Sequence, residues 1–233
     1  MARVIVITGT SKGIGLELAK YYLQKGDMVV GCARSQNDIK DKNYRHFVLD
    51  VSDERAVVDM IRELKTEFNK IDILINNAGI ASMNHFLTTS FESVKKVFST
   101  NFFGTFLFSR EVGKIMMRQK FGRIVNYTTV ASALRLEGEA IYAASKSAIE
   151  NLTQTLSKEL APFNITVNAI GPTPVKTDLI KAVPQDKIDA LLEKQAIKRL
   201  GNFEDIKNVI DFYIDEKSEF ITGQILYLGG VNG

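Results

Sequence analysis

The chain alternates short, nearly unbroken apolar runs with longer stretches of mixed polarity. The runs fall at residues 4–7, 28–32, 46–49, 71–75, 123–127, 165–170 and 224–228, and most are built from Val, Ile and Leu. A strand with one wet face alternates apolar and polar positions, whereas a strand covered on both faces does not. These runs therefore predict strands of a parallel sheet. The stretches between them read as helices. In residues 53–68, Val57, Ile61, Leu64 and Phe68 recur at helical spacing and define one apolar face. Gly26 stands where the first helix should end, in the role of a C-terminal cap. Repeated strand–helix–strand units predict an α/β, doubly wound parallel sheet of about seven strands, with helices on both faces and right-handed crossovers.

Two connections stand out. About a dozen mostly polar residues, 34–45, link the second and third runs, which barely leaves room for a crossover helix. Residues 177–201 form the one long insertion, with Leu179, Ile180, Val183, Leu191 and Leu192 set among charges. That pattern suits a lid over a site; an ordinary surface helical hairpin fits it equally well. No low-complexity linker or internal repeat divides the chain, so residues 1–233 are expected to form a single domain.

Composition narrows the class. Of 233 residues, 45% are hydrophobic and 24% charged, an ordinary soluble balance with enough chain for a large core. The net charge is only +3, and the densest basic stretch, residues 118–123, is interrupted by Gln119, Phe121 and Gly122. That reads as a solvated helix end, and no nucleic-acid partner is expected. A single cysteine, Cys32, excludes an internal disulfide and points to a reducing compartment. The first apolar run is too short for a signal peptide, and none approaches a membrane span. The expectation is a cytoplasmic protein with neither a membrane partner nor a metal site.

The first run leads into Thr8-Gly9-Thr10-Ser11-Lys12-Gly13-Ile14-Gly15 and then a helical pattern. Gly9 would permit the tight turn, Gly13 close approach of the backbone to a pyrophosphate, and Gly15 close helix–strand packing. Amides at the helix start would face the negative charge. This is the setting of a dinucleotide loop, which makes the sheet Rossmann-type, although the spacing is Gly-x-x-x-Gly-x-Gly. In NAD-binding versions an acidic residue ends the second strand and holds the ribose 2′-hydroxyl. Here Ala33 and then Arg34 occupy that place. A guanidinium grips a 2′-phosphate that a carboxylate would repel, and Lys12 is placed to help, so NADP(H) is expected over NAD(H).

At this point the chain resembles the short-chain dehydrogenase/reductase family in its compact form, over essentially its whole length. The resemblance rests on the glycine loop, Asp50-Val51, Asn76-Asn77-Ala78-Gly79, Asn101, Tyr142-Ala143-Ala144-Ser145-Lys146, and Asn168 to Pro172 with Thr177. It implies that Asp50 and Val51 meet the adenine and that Asn77, Ala78 and Gly79 line the cofactor. By the same token Val175 and Thr177 contact the nicotinamide amide and nearby phosphate. With Gly9, Ser11, Lys12, Gly13, Ile14, Gly15, Arg34, Tyr142 and Lys146, these make up the expected cofactor site.

Tyr142 and Lys146 lie four residues apart on a predicted helix and so share a face. A free tyrosine titrates near ~10 and exchanges protons slowly at neutral pH, whereas a neighbouring ammonium lowers that value. The pair is expected to serve as the proton donor to a substrate oxygen, with Lys146 also holding the nicotinamide ribose, as the resemblance implies. The family's serine, thirteen positions before the tyrosine, is Thr129 here. Its hydroxyl still donates, while its methyl stiffens the side chain. Thr128 should point to the opposite strand face, and Ser132, in the following loop, stands as a backup. Asn101, within a predicted long helix, would by resemblance anchor a water linked to Lys146; hydrogen bonding at a helix kink is its structural alternative. Pro172-Thr173-Pro174 departs from the family's Pro-Gly and puts the loop shape beside the nicotinamide in question.

The general pattern is similar to β-ketoacyl carrier-protein reductases, which suggests a small carbonyl substrate linked to a carrier protein or to CoA. Arg118 and Lys120 suit docking of an acidic carrier, but Phe163 stands where a second cation would help. Arg135, Glu137 and Glu139 in the predicted pocket loop leave a sugar or other polar ketone open. A cofactor-sensing protein without turnover is a second class, since fold does not fix function. An epimerase or dehydratase of the longer family form would need a larger C-terminal region. His85 reads as a surface residue. The resemblance implies a homotetramer or homodimer, and the Phe102, Phe103, Phe106 and Phe108 stretch, which exceeds what one helix face buries, fits a subunit contact.

Overall fold

The structure, a computed structural model, describes residues 2–175 and 184–232. Seven strands form one sheet: β1 (Val4–Thr8), β2 (Met28–Ala33), β3 (Tyr44–Val48), β4 (Ile73–Asn76), β5 (Gly122–Tyr127), β6 (Ile165–Gly171) and β7 (Ile225–Tyr227). Every pairing is parallel, in the order β3-β2-β1-β4-β5-β6-β7. The helices are α1 (Gly13–Gln24), α2 (Glu54–Phe68), α3 (Phe91–Phe98), α4 (Gly104–Gln119), α5 (Val130–Leu134), α6 (Ala140–Leu160), α7 (Gln185–Glu193) and α8 (Phe203–Ile214). The chain builds outward from β1 to β3 and then restarts at β4 on the other side of β1. The crevice above β1 and β4 is thus the topological switch point where such sheets bind ligands.

The unbroken apolar runs are explained by two cores, one on each face. Val4 and Val6 of β1 enter the first, with Val57, Ile61 and Leu64 of α2, Phe108 and Met116 of α4, and Leu156 of α6. Ile5 and Ile7 enter the second, with Leu18 and Tyr22 of α1 and Ile206 and Ile210 of α8. Successive side chains of a strand point to opposite faces. A polar residue at either parity would therefore meet a helix, and each large apolar side chain buried contributes about 1.5–3 kcal/mol.

Local signals behave as expected at the helix ends. Gly26 adopts φ +84°. Its N–H bonds to the Leu23 carbonyl at 2.9 Å, and that of Asp27 to Tyr22 at 3.1 Å, closing α1 in a Schellman turn. The Asp53 carboxylate accepts from the Ala56 N–H at 3.1 Å and caps α2.

Three places bear on the expectations. The crossover at 34–45 carries no helix; Asn37 ties it back by donating to the Thr10 carbonyl at 3.0 Å and to the Tyr44 hydroxyl at 2.6 Å. Residues 118–123 are not uniformly a solvated helix end. Arg118 and Lys120 are exposed, but Arg123 lies in β5 and is buried, because its guanidinium reaches the carbonyls of Gly122 at 2.9 Å and Asn164 at 3.4 Å. Of the 177–201 insertion, 177–183 lie outside the described residues. The remainder forms α7, which packs Leu191 against Val130 and Val231, and a return that bridges Gly201 to Val175.

Candidate active site

The glycine loop turns directly off the end of β1. Gly9 has φ +79°, and a Cβ there would come within 2.9 Å of Asn77 Nδ2. A Cβ on Gly15 would lie 2.3 Å from the Gly9 carbonyl oxygen, so α1 crosses the loop where no side chain fits. Asn77 Nδ2 donates to the carbonyls of Thr8 at 2.9 Å and Gly9 at 3.3 Å, and the Ala78 N–H donates to Thr8 Oγ1 at 2.9 Å. The segment after β4 thereby clamps the loop. The first amides of α1 have no partner within the helix and open on an anion site.

In front of this loop runs a groove of about 1450 Å³. Gly9, Ser11, Lys12, Gly13 and Ile14 line one side; Arg34, Asp50 and Val51 line the far end; Asn77, Ala78, Gly79 and Val175 line the near end. Gly15 lies behind the loop rather than on the groove. Thr177 lies outside the described residues. At the far end Ala33 closes β2, and Arg34 and Ser35 follow where an acid would hold a 2′-hydroxyl. Burial opposes ionisation of Asp50, yet two hydrogen bonds from Ser52 and the Arg34 charge outweigh it and hold its carboxyl below the usual range. The preformed amides and the glycines without room for side chains fit a nicotinamide dinucleotide.

A second cavity, about 480 Å³, adjoins the groove, and Ile14, Asn77, Gly79, Ile80, Ala81 and Val175 line both. Tyr142, Lys146 and Thr129 lie on its wall. Thr129 ends the extension of β5 and caps α5, its Oγ1 accepting from the Ala131 N–H at 3.2 Å. Its proton remains free to serve the Tyr142 phenol, which its hydroxyl stabilises in the ionised form. Thr128 also lines the cavity, but its hydroxyl is spent on Glu150. Ser132 is not a backup. It lies within α5 rather than in a loop, and the helix rotates it off this cavity towards a shallower hollow.

The Tyr142–Lys146 pair differs from expectation in its electrostatics. Burial pushes the Tyr142 phenol up to about 12; the Thr129 bond works against this and the Glu139 charge adds to it. Burial likewise brings Lys146 down to about 8, partly offset by Glu150. The ammonium donates to the Tyr127 carbonyl at 2.8 Å, which anchors it to β5, and burial dominates the phenol. Tyr142 is accordingly protonated at neutral pH.

Asn101 sits in a π turn, Ser99–Phe103, that joins α3 to α4. The extra residue bends the helix inward, a distortion frequent at functional sites. Fully buried, Asn101 accepts from the Ile80 N–H at 2.8 Å and donates to the Ile80 carbonyl and Ser145 Oγ, each at 3.0 Å. Its side chain thus ties the cavity wall to the helix of Tyr142 and Lys146. Thr173 fits its loop because the position does not require positive φ; it is buried against Gly201 and Gly229. Val130 N–H bonds to Pro172 at 3.3 Å and Gly201 N–H to Pro174 at 3.0 Å, which fixes the loop shape.

Ser35 and Thr100 in the groove, and Lys187 and Lys194 on the cavity, were not expected. Adjacency to Arg34 could have found Ser35. The lysines depend on how α7 docks, which no local pattern encodes. Among the described residues no group of three or more His, Cys, Asp or Glu side chains is placed to hold a metal, and no helix is long and apolar enough to cross a membrane.

The family model for the short chain dehydrogenases matches residues 3–188. The chain is 30% identical over 234 residues to the 3-oxoacyl acyl-carrier-protein reductase FabG of Escherichia coli, covering 98% of this chain and 96% of that protein. It is 33% identical over 240 residues to the FabG of Staphylococcus epidermidis, covering 99% and 98%. Among solved structures, ElxO with NADP bound superposes with a TM-score of 0.90 at 28% identity, covering 99% of this chain and 98% of that one. The chain belongs to the short-chain dehydrogenase/reductase family and is an oxidoreductase.

Proposed function

We propose that the protein reduces a carbonyl to an alcohol with NADPH, Tyr142 supplying the proton. The observation that carries this reading is the junction of the two cavities: the protonated Tyr142 and the Thr129 hydroxyl share one small pocket that opens onto a dinucleotide groove ending in Arg34. The groove residues Gly9, Ser11, Gly13 and Asn77 hold the dinucleotide, with Arg34 and Lys12 at its 2′-phosphate. When bound, the nicotinamide supplies the hydride that the carbonyl carbon takes up. Thr129 donates a hydrogen bond to the carbonyl oxygen, and Tyr142 Oη transfers its proton to that oxygen as the C–O double bond becomes single. With its pKa raised, the phenol is protonated at neutral pH, the state from which a proton donor must start, which supports the reductive direction. Lys146 and Asn101 position the tyrosine helix against the β5 and Ile80 backbones.

The names of the FabG relatives support a 3-ketoacyl thioester as substrate; Glu139 on the cavity wall favours a polar ketone instead. Residues 1–233 act as one domain, with 177–201 as lid. The buried, unpaired Cys32 supports a reducing, cytoplasmic setting. Phe103, at the end of the π turn, and Phe106, on α4, are 50% and 40% exposed and support a homodimer or homotetramer. NADPH oxidation by the purified protein, assayed with ketoacyl thioesters, ketoses and quinones and repeated with NADH, tests the proposal. Turnover with NADPH well above NADH is expected; equal efficiency with both, or tight NADPH binding with no turnover on any carbonyl, rejects it.

A further inference from the structure

The charges on the cavity wall are the feature the reductase reading leaves unused. Glu139 lies three residues before Tyr142, at the start of α6, and faces the same cavity. It is half-buried, and among the described residues no side chain bonds or pairs with its carboxyl. Burial alone raises its pKa. A half-buried carboxyl without a partner is costly, so a position that keeps one is suited to a ligand that satisfies it.

Across the cavity stands α7. Lys187 and Lys194 are two helical turns apart on the face that also turns Ile188 and Leu191 inward. Arg135 joins them from the end of α5. No ion pair engages any of these three cations among the described residues. With Glu137 and Glu139 opposing Arg135, Lys187 and Lys194, the wall has an excess of positive charge even before Lys146 is added. Such a cavity concentrates anions and repels ammonium groups. The Glu139 partner is then a neutral donor, and a hydroxyl serves whether the carboxyl is ionised or not.

Resting on the reductase reading, we infer that the substrate is a small hydroxylated ketone with an anionic end, a hydroxyl meeting Glu139 and the anion meeting Lys187 and Lys194. The anion is a carboxylate or a phosphate, chemistry that both lysines accept. The cavity, about 480 Å³, is at the small end of ligand sites and suits a sugar-acid-sized molecule.

The test compares kcat/KM with NADPH for 5-ketogluconate, fructose 6-phosphate, fructose, 5-oxohexanoate and acetoacetyl-CoA. Fructose lacks the anion, and 5-oxohexanoate keeps the carboxylate but lacks the hydroxyls. One of the two hydroxylated anions should exceed both deficient ketones by about tenfold or more, and which one identifies the anion. Glu139→Leu should cost about tenfold of the advantage over 5-oxohexanoate. The Lys187→Ala, Lys194→Ala double variant should cost a similar factor of the advantage over fructose. NADPH binding measured by fluorescence shows that each variant is folded. Fructose or 5-oxohexanoate performing as well as the hydroxylated anions overturns the inference, as do advantages that survive these substitutions. If acetoacetyl-CoA alone is reduced, this inference falls and the reductase reading stands; if none of the five is reduced, both fall.

Discussion

The dinucleotide groove and the substrate cavity share a wall yet are built in opposite ways. The groove is made mainly of backbone: Gly9 and Gly13 at positive φ, the amides at the start of α1, and the Asn77 clamp. The cavity is made of side chains from segments far apart in the chain, with Met83, Leu136, Glu139, Thr173, Lys187 and Leu191 meeting around Tyr142. Backbone geometry demands particular residues at particular spacings. A side-chain wall demands only that the sum be the right shape and charge. The groove therefore serves one ligand across many proteins, and the cavity is where this chain sets its own chemistry.

Exchanging one group in each region should separate their roles. Tyr142→Phe removes the proton donor and keeps the ring that fills the wall. We expect kcat to fall by about a thousandfold while NADPH affinity, read by fluorescence titration, is unchanged. Turnover near the unsubstituted level would remove Tyr142 from the chemistry. Arg34→Ala acts on the other side of the shared wall. It should raise the KM for NADPH by about 10- to 100-fold, leave that for NADH little altered, and keep kcat at saturating NADPH. An NADPH/NADH preference that survives the substitution would assign discrimination to Lys12 or Ser35 instead.

The same contrast explains what could be read from the amino-acid order. Strand runs were legible because double burial leaves a continuous apolar signature. The groove was legible because spaced glycines between a strand and a helix, with no acid after β2, suit a phosphate-bearing dinucleotide and little else. Arg123 falls in a predicted strand, as found, but its burial was not legible, since a cation in a basic stretch gives no local sign that nearby carbonyls will hold it inside a sheet. Ser132 was misplaced for a related reason: one residue of helix rotation decides whether a hydroxyl enters the cavity. The phenol pKa was misjudged because i,i+4 spacing brings Lys146 near Tyr142 but gives no sign of how deeply the phenol is buried, and burial is what raises it. Lys187 and Lys194 became part of the site only through the docking of α7 on Val130 and Val231.

Thr129 tests how far the cavity tolerates exchange. Its hydroxyl does two things: the oxygen caps α5 by accepting from the Ala131 N–H, and the proton, which serves the phenol before substrate binds, turns to the carbonyl oxygen once it does. Thr129→Val should lower kcat by about tenfold and also cost about 1 kcal/mol of stability as the cap is lost. Thr129→Ser keeps both hydrogen bonds and should restore both readouts. A valine variant that loses stability yet keeps kcat would limit the hydroxyl to capping.

The smallest effect expected is a pH limb, and it belongs to the cavity side alone. Burial favours the neutral form of a lysine, so Lys146 surrenders its proton near pH 8 instead of above 10. Its ammonium is thus present below about pH 8 and lost as pH rises through that value. Because the charged group holds the Tyr127 carbonyl and with it the tyrosine helix, kcat should be level on the acid side, about half-maximal near pH 8, and lower beyond. Tyr142, near 12, stays protonated across this range and cannot produce the limb. Discrimination between NADPH and NADH belongs to the groove and should not follow it. Lys146→Arg carries a charge that does not titrate here, and whatever activity it retains should show no fall near pH 8. Measuring kcat for both proteins from about pH 6 to about pH 10 decides the matter. A profile that stays flat to pH 10 in the unsubstituted enzyme would mean that the ammonium's charge is not what keeps the tyrosine in place, and that the hydrogen bond of a neutral amine to Tyr127 suffices.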